Sequence, residues 1–79
     1  MALEEAARQR QNAEQLLSAT DVQVKQLAAR PLTSAEQETV SHIRNFMDDA
    51  RTALKEGDVR RANTLAEKAH LVSDDMSKR

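Results

Sequence analysis

Leu54-Lys55-Glu56-Gly57-Asp58-Val59-Arg60 decides the fold, because it carries the only glycine of the chain and separates two segments with helical apolar spacing. Glycine readily takes the left-handed conformation that ends a helix. Aspartate is a favoured N-cap, so Asp58 starts a new helix with almost no loop between the two. Such helices must fold back on each other as an αα-hairpin. Upstream, Val40, Ile43, Met47, Ala50 and Leu54 form one stripe, widened by Phe46 and Ala53, over a helix spanning 34–56. Downstream, Ala62, Leu65, Ala66, Ala69, Val72 and Met76 share a face over 59–77. The alanines allow close approach of the two backbones, which favours a tight hairpin.

Working towards the N-terminus, the only proline, Pro31, pushes Arg30 out of the α region and ends a preceding helix. Thr33 and Glu36 then have the spacing of a capping box. The first helix, about 3–29, places Ala6, Ala13, Leu16, Leu17, Thr20, Val24, Leu27 and Ala28 at three- and four-residue steps. Before Leu16 only Leu3 is large and apolar, so this end is weakly anchored. The short connections predict an all-α, up-down-up antiparallel three-helix bundle, with 1–79 as one domain. At about 1.5 Å per residue the three helices are about 40, 35 and 30 Å long, so the first overhangs.

Composition supports this class and removes several functions. Ala, Leu, Glu, Gln, Arg and Lys are good helix formers and dominate the chain. One aromatic residue, Phe46, gives no stacking platform, and a net charge of −1 gives no field for nucleic acid. No cysteine is present, so there is no thiol chemistry and no disulfide framework. No apolar run approaches the roughly 20 residues of a membrane span, and no signal-peptide core is visible. That tilts the expected compartment towards the cytoplasm without setting it, since a leader or anchor preceding Met1-Ala2 in a longer protein stays open.

Residues 46–74 resemble one tetratricopeptide-type helical hairpin. The resemblance rests on Phe46 at the opening, small residues at Ala50, Ala62 and Ala69, the Gly57-Asp58 turn and Lys68-Ala69 near the end. It departs at Asp49, where that repeat prefers leucine, at Ala66, where it prefers an aromatic, and at Asp74, where proline is usual. Within 34–77 there is one such unit, and about three are needed to stack into a continuous groove. The resemblance therefore implies protein binding but no superhelical peptide channel. A three-helix domain of the type found in microtubule-interacting and trafficking proteins is similar in length.

Few residues offer chemistry. Glu38/His42 and His70/Asp74 are each four apart and share a helical face, which makes an inter-helix metal site conceivable. The apolar stripes, however, turn both histidines away from the seam between the second and third helices, which reads as two solvated histidines. The doublets Asp48-Asp49 and Asp74-Asp75 cannot act as dyads, because adjacent helical residues do not face each other. Asp21/Lys25 and Arg44/Asp48 have the spacing of exposed ion pairs. Ser18, Ser34, Ser41, Ser73 and Ser77 lack a nucleophile signature, and one glycine cannot build a phosphate loop. The reading is a non-enzymatic protein-interaction or scaffolding module that needs no cofactor and no metal. The competing reading is self-association. Val22 and Leu71 lie off the apolar stripes and are the candidate contact residues for either. A weaker alternative is anion binding by Arg51, Lys55, Arg60 and Arg61 around the Gly57 turn, continued by Arg44.

Overall fold

The computed structural model describes residues 2–78, folded into α1 (Ala2–Ala28), α2 (Ser34–Lys55) and α3 (Val59–Ser77), with no strand among the described residues. The all-α bundle read from the sequence is the observed fold, with α1 and α2 each ending one residue early. It is elongated, 46 × 19 × 14 Å along its principal axes.

Local chemistry accounts for each boundary. Glu36 N–H donates to the Thr33 hydroxyl at 3.1 Å and Thr33 N–H donates to the Glu36 carboxylate at 2.9 Å, a complete capping box. At the far end of α2, Gly57 has φ of 79°. Its N–H donates to the Leu54 carbonyl at 3.1 Å, and Asp58 N–H donates to the Ala53 carbonyl at 2.9 Å. These are the two bonds of a Schellman motif, so the carbonyls left over at the helix end are satisfied within the turn. Asp58 then accepts from Arg61 N–H at 3.3 Å and caps α3. A long-range contact adds to this end, where the Arg10 guanidinium donates to the Leu54 carbonyl at 3.3 Å and ties α1 to the end of α2.

The three helices are not equivalent. α3 packs closely against both α1 and α2, whereas α1 and α2 meet along a much sparser seam. The cause is the face of α3, where Ala62, Ala66 and Ala69 are fully buried and hold neighbouring backbones close. Against them lie Ala13, Leu17, Val24 and Leu27 of α1 and Val40, Ile43, Met47, Ala50 and Ala53 of α2. The apolar stripes are not buried throughout, and Ala6, Leu16, Phe46 and Leu54 are half-buried. Ala28 is exposed, Leu65 and Val72 are half-buried, and Ser73 takes a fully buried position beside them. The early part of α1 does overhang. Asn12 contacts Asn63, 51 positions later, so Val59 is level with about residue 8 and everything before it projects past α3. Leu3, in that projection, is 86% exposed.

A β-carbon added at Gly57 meets no atom within 4 Å, so replacement costs backbone strain alone. Gly57→Ala should destabilise the protein by about 1–2 kcal/mol, the cost of a left-handed L-residue. For a chain of this size that lowers the melting temperature by about 4–8 °C per kcal/mol. Asparagine at the same position should cost less than alanine. Circular dichroism melts check this, and equal melting of wild type and Gly57→Ala would contradict it.

Candidate functional site

Because α1 and α2 barely touch, a trough runs between them on the side away from α3. Its middle is lined by Asp21, Val24 and Lys25 of α1 and by Arg44, Met47, Asp48 and Arg51 of α2. It continues past Leu17 to Glu14 and Leu54 in one direction. In the other it reaches Arg30, Leu32 and Val40, with Arg44 shared. The floor is apolar but almost covered, with Leu17, Val24 and Met47 at 6%, 2% and 3% exposure. What the trough presents is mainly its charged walls.

Those walls differ in sign. On α1, Glu14 and Asp21 outnumber Lys25, and on α2, Arg44 and Arg51 outnumber Asp48. Lys25 Nζ lies 2.9 Å from Asp21, the ion pair read from their spacing. The second expected pair is not formed. Asp48 is taken by Arg51 at 3.4 Å, three residues ahead, and Arg44 has no ion pair in the chain among the described residues. The hydrogen bond from Lys25 chiefly holds the Asp21 carboxyl below the usual carboxylate range, helped by the nearby charges of Lys25, Arg51 and Arg44.

The basic residues around the turn are divided by the fold. Arg51 lines the trough, while Lys55 closes α2 on the surface. Arg60 and Arg61 are exposed in the first turn of α3, where positive charge opposes the helix dipole and only the capping Asp58 offsets it. Val22 and Leu71 are 56% and 68% exposed, as a contact role requires. Each, however, faces outward from its own helix, opposite that helix's buried stripe, so the two form no common apolar patch.

His70 corrects the sequence reading. It is half-buried, and although it does point away from α2, it turns towards α1 and not into solvent. There Thr20, fully buried, donates its single hydroxyl hydrogen to the Leu16 carbonyl at 2.7 Å. The 3.3 Å contact with His70 Nδ1 is therefore made by an Nδ1–H donating to Thr20. One turn on, Gln23 Nε2 donates to Asp74 at 3.5 Å, which points its Oε1 at Ser73, whose hydroxyl donates to it. That same hydroxyl also lies 3.1 Å from the His70 carbonyl. Lys78 completes the chain at 3.0 Å from Asp74, and the hydrogen bond it gives is the main cause of a lowered Asp74 pKa.

Thr, Ser, His and Asp side by side suggest a nucleophilic site, but Thr20 and Ser73 are both 0% exposed and their hydrogens go to acceptors inside the bundle. No substrate reaches them. Among the described residues no three His, Cys, Asp or Glu side chains come together to hold a metal, and His42 is exposed on α2. No described helix is long and apolar enough to cross a membrane. The cross-helix polar residues had one signal in the sequence, two polar pairs of the same three-residue spacing, Thr20/Gln23 and His70/Ser73, each bordering an apolar stripe.

The two lysine contacts make a pH prediction. A carboxylate whose folded pKa is depressed contributes stability above its unfolded pKa, and that contribution is lost as pH falls through the folded value. Asp21 and Asp74 should therefore titrate, by carboxyl carbon NMR shifts, with midpoints below the ordinary aspartate value. Lys78→Gln should return Asp74 towards that value and leave Asp21 unchanged, and an unshifted Asp74 in the wild type would contradict the assignment. No family model, curated protein or solved structure matches this chain.

Proposed function

We propose that the protein is a non-enzymatic interaction module that takes an amphipathic helix of a protein partner along the trough between α1 and α2. The observation that carries the reading is the trough itself. It runs from Glu14 to Ala28, about 21 Å at 1.5 Å per residue, which is the length of about 15 helical residues. Its walls select the partner's chemistry. Arg44 has no ion pair among the described residues, and with Arg51 it offers cationic charge on one side, so the partner's flank over α2 carries carboxylates. The opposite flank, over Glu14 and Asp21, carries neutral or basic residues.

The small exposure of Leu17, Val24 and Met47 leaves little apolar surface to remove from water. Binding is accordingly weak, salt-dependent and governed by charge. The likeness of residues 46–74 to a tetratricopeptide-type hairpin points towards protein binding as well. The absence of thiols, of a glycine loop and of accessible activated hydroxyls supports the non-enzymatic part.

The test uses two designed helical peptides of about 15 residues, each with a leucine spine, one flanked by glutamates and one by lysines. Titration followed by amide NMR should move signals of Val24, Met47 and Arg51 with the glutamate peptide, with affinity at least about tenfold above that of the lysine peptide. Charge reversal at Arg44 and Arg51 together should remove that preference. Equal binding of both peptides, or shifts elsewhere on the surface, would refute the trough. Sedimentation across concentration covers the competing reading, since a dimer with the same residues protected would make a second copy the occupant.

A further inference from the structure

Side-chain hydrogen bonds between α1 and α3 join residues 50 or 51 positions apart: Asn12 to Asn63, Thr20 to His70, Gln23 to Ser73 and Gln23 to Asp74. One offset thus repeats over the stretch from Asn12 to Gln23, about 17 Å of helix. The apolar part of the same seam has little to fix an offset. The fully buried apolar residues of α3 are Ala62, Ala66 and Ala69, whose single methyl groups make a nearly smooth ridge, while Leu65 and Val72 are half-buried at its sides and Met76 packs near its end. Large side chains resist sliding because each knob sits in its own hole, and methyls do so far less.

We propose that this polar ladder is the device that sets the register of α1 on α3, and that apolar packing alone leaves the register degenerate. A slip of one turn in one direction sets Gln23 beside Ala69 and Thr20 beside Ala66, stranding the Gln23 amide. A slip in the other direction brings His70 level with Leu16. The local bonds of Thr20 to Leu16 and of Ser73 to His70 survive either slip, since both partners lie in one helix. Only the bonds of Gln23 and His70 across the seam, with Asn12 to Asn63, distinguish the registers. The desolvation of a stranded polar group is the larger effect here, because an unmade buried hydrogen bond costs more than a made one contributes. Buried polar residues that fix helix register at little gain in stability are well attested in coiled coils.

The chain has no cysteine, so engineered pairs report register without background. Asn12→Cys is combined with Asn63→Cys for the observed register, and with Glu67→Cys or Val59→Cys for a slip of one turn either way. Each pair is oxidised in the otherwise native chain and in a chain carrying Thr20→Val, Gln23→Leu, His70→Leu and Ser73→Ala. In the native background only the 12–63 disulfide should form. In the ladder-free background a slipped disulfide should rise at least about tenfold relative to it, with helical circular dichroism retained. A ladder-free chain that still forms only the 12–63 bond would overturn the proposal. If the fourfold variant loses its helical signal, Gln23→Leu/His70→Leu, which removes the rungs that Asn12→Cys leaves and keeps the local bonds of Thr20 and Ser73, is oxidised in its place. A slipped disulfide there supports the device, while the native bond alone, or loss of the fold in this variant too, overturns it.

Discussion

The alanine face of α3 is the constraint on which the rest of the bundle depends. Ala62, Ala66 and Ala69 are fully buried, and their size lets α3 lie close to two neighbours at once. A helix with leucines at those positions would hold α1 and α2 further from it. Here α3 satisfies both partners, and α1 and α2 are left apart with a charged trough between them. The interaction surface proposed above is in this sense a by-product of small residues elsewhere.

The same alanines shape the energetics. A methyl group buries far less surface than a leucine side chain, so this core gains less per residue than a leucine-rich one. A full capping box, a Schellman turn and the Arg10 contact to Leu54 satisfy backbone groups that would otherwise rely on water. Polar side chains also enter the interior, and Thr20 and Ser73 are buried without an unsatisfied atom among the described residues. Their presence would be a defect in an ordinary apolar core. Beside a smooth ridge they provide direction where shape does not.

Most of the architecture was legible from local chemistry. Pro31, the Thr33/Glu36 box and Gly57-Asp58 each act within a few residues, so their consequences follow without tertiary knowledge. The stripe of α2 was equally plain, because Val40, Ile43, Met47 and Ala50 are large or small in a helical period and all are buried. The exposure of Val22 and Leu71 followed from their position off the stripes. What could not be read was which neighbour each face meets. His70 was turned from the α2 seam correctly, yet its true neighbour, Thr20, lies fifty positions away on α1. Asp48 likewise had two arginines within helical reach, Arg44 and Arg51, and side-chain geometry alone selected the second.

Three helices, their caps and their buried stripes were thus determined by the sequence alone, because they depend on backbone preferences and a period of 3.6 residues. The central place of α3, the separation of α1 from α2, the trough between them and the polar ladder were decided only in the folded molecule. Each depends on which surfaces share a limited interior, a choice made among all three helices together and written at no single position of the chain.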